Sequence, residues 1–344
     1  MKQTKLTLLI SAACATVALA TASLQAQTLP VTTGLQLWLK ADAGVTTNAS
    51  GVVTNWADQS GMGNDATSPD PTKAPTLQLN AFPNSLPTLR FAGGTRYLTC
   101  PNTTSLSSLG DNVTMLLVIE YDDMNNFRAG ITKTMGGLPL PFDMWNVGSV
   151  NSGRTRFYSS TPGSHVFVDC TLTGPPALGI YNAFACTITN RVIDCYLNNI
   201  HSGNATFPPG GADGGGPLYI GSRDTLDTQL VGGLAEVLIY QPALSAADLQ
   251  NVINNYLGLR YNLPIDIPPT VSITSPTNGA TAAAPGSVHV NITAAHASGG
   301  TVAQVNVYAN GALLGGTSPA HPPQMQPRST RTYTALHDTE HSLF

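Results

Sequence analysis

The run Met115-Leu-Leu-Val-Ile119 is apolar at every position, so a strand formed there is apolar on both of its faces. Such a strand needs cover above and below and belongs at the centre of a sheet with a layer on each side. From about residue 34 to 262 the surrounding apolar or alternating runs are short, and clusters of Gly, Pro, Asn and Asp separate them. Strands are expected at 35–40, 88–91, 113–121, 155–159, 165–171, 178–189, 192–197, 218–222 and 234–240. With 33 Gly, 25 Pro and 10% charged residues, the composition favours many turns over long helices. The pattern predicts an all-β sandwich, and about 230 residues suffice for one large core.

One helix is expected, from Ala246 to about Leu257. Ser245 is placed to cap it with Asp248 at the third helical position, Leu249, Val252, Ile253, Tyr256 and Leu257 recur at helical spacing, and Gly258 follows. It should close the sandwich.

Cys186 and Cys195 flank Thr187-Ile-Thr-Asn-Arg-Val-Ile-Asp194. A two-residue turn at Asn190-Arg191 sets the cysteines opposite one another and pairs Phe184 with Leu197 and Ile188 with Ile193. All six side chains then share one face, with Thr187, Thr189, Val192 and Asp194 on the other. This register favours a cross-strand disulfide, leaving Cys100 and Cys170 as the second pair; the alternative is two buried thiols.

Three landmarks occur in order: Leu37-Trp-Leu-Lys-Ala-Asp42, Trp56-Ala-Asp-Gln-Ser-Gly-Met-Gly-Asn-Asp-Ala66, and Gly232-Gly-Leu-Ala-Glu-Val-Leu-Ile-Tyr240 with its following helix, finishing in Leu257-Gly-Leu-Arg-Tyr-Asn-Leu263. They resemble the concanavalin A-like lectin/glucanase jelly roll in its bacterial laminin-G-like form, over most of residues 34–263. The resemblance implies a module that binds glycans or mediates adhesion within a larger surface or secreted protein. A strand and helix of this kind end the domain in that family.

The remaining segments set the organisation. Residues 1–26 read as a secretory signal: Lys2 and Lys5 precede an apolar run from Leu6 to Ala20 that is too short for a membrane span. Residues 27–263 form the jelly roll and 264–270 a proline-stiffened linker. Residues 271–317 look like the first strands of a bacterial immunoglobulin-like repeat, with alternation at Val288, Val290 and Ile292 and again at Val305 and Val307. After Thr317 the composition changes to a Pro- and His-rich stretch, and 318–344 reads as a disordered or frame-shifted tail. The net charge of -4 lacks the basic footprint that nucleic acid requires.

Catalytic constellations are sparse. A glucanase of this superfamily carries E-x-D-x-x-E on one strand, with its two carboxylates about 5 Å apart in a retaining mechanism. The nearest match is Glu120-Tyr-Asp-Asp-Met-Asn125, where Asn125 cannot act as the acid. Glu120, Asp122 and Asp123 therefore read as a solvated strand end. No G-x-S-x-G elbow is present, and Gly210-Gly-Ala-Asp-Gly-Gly-Gly216 lacks the Lys-Ser/Thr of a phosphate loop. His321, His337 and His341 have no metal-site spacing.

Asp58, Ser60, Asn64 and Asp65 supply oxygen atoms around two glycines, as calcium requires, and Glu236 is a further candidate from the closing strand. In related jelly rolls calcium ties such a turn to the sheet; the alternative is an Asx-type turn without metal. For sugar binding, Trp145 and Tyr158 are the candidate platforms, while Trp38 and Trp56 belong to the landmarks and read as core. The sequence thus predicts an exported, non-catalytic carbohydrate-binding or adhesion module with a glycan partner. The alternatives are a structural spacer and a glucanase-like hydrolase.

Overall fold

The computed structural model describes residues 28–337 apart from 93–95, 108, 110–111, 124–127, 135–142, 148–149, 152–153, 162–163, 172–175, 207–214, 224–228, 266–269, 278–285, 296–304, 310–311 and 318–328. The backbone alone is described for the remaining residues within 134–175, 286–289 and 308–337, and for 270 and 295. The expected signal segment, residues 1–26, lies outside the described residues.

Two sheets build the sandwich. The first has eight strands, ordered Ile200–Thr206, Val192–Leu197, Asn182–Thr189, Asn112–Tyr121, Val231–Tyr240, Thr88–Ala92 and Thr76–Gln78, with Leu35–Lys40 also paired to Val231–Tyr240. The second has seven, ordered Asp143–Val147, Ile131–Thr134, Leu218–Ile220, Leu98–Cys100, Ala66–Thr67, Val53–Trp56 and Val45–Thr47. A three-stranded sheet of Val150–Asn151, Arg154–Thr161 and Ser164–Thr171 accompanies them.

The strand Asn112–Tyr121 lies in the middle of the eight-stranded sheet and is buried from Val113 to Tyr121. Met115, Leu117 and Ile119 enter the core between the sheets, while Leu116 and Val118 face the layer that holds the C-terminal helix. Each such buried side chain is worth about 1.5–3 kcal/mol. An all-apolar strand is thus satisfied by two cores rather than one.

The helix begins as expected. Ser245 Oγ accepts the Asp248 amide at 3.1 Å and donates to Asp248 Oδ2 at 2.7 Å. It does not stop at Gly258: helical turns, wide from Val252 to Gly258, continue to Tyr261, and Asn262 ends them in the left-handed region at φ 50°. A Cβ on Gly258 would lie 2.8 Å from Ile265 Cδ1, so this glycine serves close packing and not a cap.

The strand expected from residue 178 starts at Asn182. Gly179 turns the chain at φ 70°, and Leu178 and Ile180 remain exposed. Several two- to four-residue strands of the second sheet, too short to show alternation, went unpredicted, among them Ala66–Thr67 and Leu98–Cys100.

In the C-terminal part, Thr270–Ser275, Gly286–Ala295 and Ser329–His337 form a three-stranded sheet, and Val305–Ala309 pairs with Ala312–Thr317. Val290, Ile292 and Val307 are buried together, in keeping with the alternation of the sequence. Where the sequence reading ends this unit at Thr317, the structure has a further strand: Ser329–His337 pairs along Gly286–Ala294. Its Thr-rich stretch alternates little in hydropathy, which is why it reads as tail.

Candidate functional site

The Asp58 turn is a closed hydrogen-bond system. Asp58 Oδ1 accepts the amides of Trp38 and Ser60, both at 2.9 Å, and Oδ2 accepts Ser60 Oγ at 2.7 Å and the Asn64 amide at 3.0 Å. The Asp58 amide donates to Asp65 Oδ1 at 2.8 Å. Asn64 is fully buried; its Nδ2 donates to the Gln36 carbonyl at 2.7 Å and to Ser105 Oγ at 2.8 Å, and its Oδ1 accepts Thr103 Oγ1. The turn therefore fixes strand Leu35–Lys40 to the second sheet.

These residues do not fit calcium, which needs several oxygen lone pairs converging on one point. The Asp58 oxygens are met by four protein donors, and the Asn64 and Asp65 side chains each accept another. Among the described residues no group of three or more His, Cys, Asp or Glu could hold a metal. Glu236 is engaged elsewhere. It is buried beneath the helix and accepts Trp38 Nε1 at 2.6 Å, Tyr256 OH at 2.8 Å and Tyr261 OH at 2.7 Å, with Arg260 Nε 3.5 Å away. Burial pushes its pKa up, and the Tyr261, Arg260, Trp38 and Tyr256 donors oppose that shift.

Glu120 is not a solvated strand end. It is 3% exposed and paired to Arg90, which also pairs with Asp122; Asp123 pairs with Arg128. Glu120, Gly233 and Arg90 are aligned across three strands. Gly233 leaves a gap that Tyr181 fills, because a Cβ there would lie 2.0 Å from the tyrosine hydroxyl. Burial, then the hydrogen bond to Asp122, raises the Glu120 pKa against the pull of Arg90. Asn125 lies outside the described residues.

Trp56 is fully buried and donates through Nε1 to the Lys40 carbonyl at 2.9 Å. Trp38 packs edge-on to Tyr256 at 6.4 Å. Both belong to the core layers, as the sequence indicates. Trp145 and Tyr158 lie on Asp143–Val147 and Arg154–Thr161, but their side chains fall outside the described residues, as does that of Cys170.

A different aromatic pair is present. Leu218 and Ile220 enter the core, so the intervening Tyr219 faces outward from the seven-stranded sheet. Tyr97 lies beside it, with ring centroids 5.7 Å apart and planes inclined at 31°. Both are partly exposed. The register carries an uncharged polar row outward from this pair: Thr46 pairs with Asn55, Asn55 with Thr67, Thr67 with Thr99, Thr99 with Tyr219 and Tyr219 with Thr132. Thr132 Oγ1 is buried without a hydrogen-bond partner among the described residues. The sequence analysis missed this row. Its members come from six short strands between residues 45 and 220, and no single segment carries a signal for it.

Residues 92–250 match the family model described as the concanavalin A-like lectin/glucanases superfamily, and residues 269–343 match that of a bacterial Ig domain. The chain thus joins a concanavalin A-like jelly roll to a bacterial immunoglobulin-like domain, in the order read from the sequence. No curated protein matches the sequence.

Similar solved structures include the binding domain of Paraclostridial Mosquitocidal Protein 1 (TM-score 0.48, 14% identity, covering 65% of this chain and 53% of that one). Domain 4 of AbnA, a GH43 extracellular arabinanase from Geobacillus stearothermophilus in complex with arabinotriose, gives TM-score 0.44 and 14% identity, covering 64% of this chain and 98% of that one. A Trypanosoma rangeli sialidase complex gives TM-score 0.48 and 16% identity, covering 66% and 33%. The chain spans about half of the first and a third of the last. Among the described residues no helix is long and apolar enough to cross a membrane.

Proposed function

We propose that the chain is an exported, non-catalytic carbohydrate-binding module whose jelly roll recognises a glycan on the outer face of the seven-stranded sheet. The observation that carries this reading is the Tyr97–Tyr219 pair at 5.7 Å, standing on an uncharged row of hydroxyl and amide side chains. Sugars present C–H faces that pack on aromatic rings and hydroxyls that exchange hydrogen bonds with neutral polar groups. The non-catalytic part of the reading rests on Glu120, whose carboxylate is buried and held by Arg90 rather than presented to a ligand.

Calorimetric titration against a panel of neutral and acidic oligosaccharides tests the proposal. At least one should bind the wild type, with affinity lost in Tyr219→Ala and weakened about tenfold in Tyr97→Ala, a change of about 1.4 kcal/mol. Binding that both variants retain would place the site elsewhere. Binding by no member of the panel would favour the structural-spacer alternative.

A further inference from the structure

We infer that Cys186 and Cys195 are joined by a disulfide across the hairpin of Asn182–Thr189 and Val192–Leu197. The turn residues Asn190 and Arg191 both take left-handed φ values, 50° and 69°, as a two-residue type I′ turn requires. Thr189 and Val192, which flank such a turn, form a hydrogen-bonded pair, and pairs alternate from there along the ladder. Ile188–Ile193 is then non-hydrogen-bonded, Thr187–Asp194 hydrogen-bonded, and Cys186–Cys195 non-hydrogen-bonded. In that last class the Cα atoms stand about 4.5 Å apart with side chains close, inside the span of about 4.4–6.8 Å that a disulfide accepts.

The surroundings favour the same pairing. The two sulfurs lie 3.3 Å apart, and both residues are completely buried in the core between the sheets. On the far side of Cys195 the register places Gly203, which brings no side chain to compete for the space. Cys100 lies on the other sheet, in Leu98–Cys100, and burial holds its thiol well above the ordinary range, so it exchanges slowly.

The bond forms by thiol–disulfide exchange with an external disulfide such as oxidised glutathione. The thiolate of one cysteine attacks a glutathione sulfur, forms a mixed disulfide and expels one glutathione thiolate. The second cysteine, as thiolate, attacks the protein-side sulfur and expels the other. Two protein thiols lose two protons and two electrons, and one glutathione disulfide becomes two glutathione thiols. Because both sulfurs are buried once the sheets close, the exchange belongs to the hairpin before the sandwich is complete.

The full chain, refolded with glutathione disulfide, unfolded in denaturant with an alkylating agent and digested with trypsin and chymotrypsin, reads this directly, since trypsin cuts after Arg191, between Cys186 and Cys195, and chymotrypsin cuts after Tyr181 and Phe184, between Cys170 and Cys186. The expected product is two peptides joined through Cys186 and Cys195, lighter than the separate thiol peptides by two hydrogens and separated by reductant. Alkylation of both cysteines, or linkage of either to Cys100 or Cys170, would overturn the inference.

Discussion

Glu236 accepts the indole N–H of Trp38 at 2.6 Å, across a sequence separation of 198 residues. The same carboxylate receives Tyr256 and Tyr261 from the helix, and Arg260 reaches both Glu236 and Asp42. One buried acid therefore joins the first strand, the closing strand and the terminal helix. This is a structural clasp, and it accounts for an acidic residue in an otherwise apolar strand.

Glu236→Ala leaves the Trp38, Tyr256 and Tyr261 donors without their acceptor and Arg260 with Asp42 as its remaining carboxylate. Breaking a buried ion pair at one partner costs about 3–5 kcal/mol. Denaturant unfolding of the jelly roll should show an unfolding free energy lower by that amount, seen as a lower midpoint at unchanged slope. A loss below about 1 kcal/mol, the level of an exposed pair, would mean that the clasp contributes no more than a surface contact.

The Asp58 turn should be independent of calcium, because its oxygens already accept protein donors. The melting temperature of the wild type should not change when a chelator is added, whereas Asp58→Ala should lower stability by about 2–4 kcal/mol through the amides it abandons. Stabilisation by added calcium that Asp58→Ala abolishes would restore the metal reading.

Burial and the Asp122 hydrogen bond favour the protonated form of Glu120 and raise its pKa above the ordinary glutamate value, against the pull of Arg90. A carboxyl group whose pKa is raised on folding stabilises fully below its unfolded value and loses that contribution as pH rises through the folded value. Relative to Glu120→Gln, the wild type should therefore lose stability as pH increases from about 4.5. Melting curves of the two proteins compared across pH give the sign. A gap that moves in the opposite direction would show that Arg90, and not burial, dominates.

The sequence alone carried what is local or periodic. The hairpin around Asn190-Arg191 has its register from a two-residue turn and a buried face, and Phe184–Leu197, Cys186–Cys195 and Ile188–Ile193 pair as that rule requires. Asn112–Tyr121 is central because no other position covers both of its faces, and Ser245 caps the helix because an N-cap depends on neighbours three residues away. The landmark motifs pointed to the family because each is a contiguous stretch of residues that can be read in one dimension.

The destination of the charged and aromatic side chains was decided by tertiary structure. Glu236 read as a metal candidate until the helix placed Tyr256, Tyr261 and Arg260 around it, and Glu120 read as solvated until Arg90, on another strand, covered it. Tyr97 and Tyr219 are separated by more than a hundred residues and meet only because Leu98–Cys100 and Leu218–Ile220 are neighbours in the second sheet. Strand pairing joins segments remote in sequence through backbone groups that every residue possesses. A site assembled one side chain per strand therefore leaves no mark on any single segment.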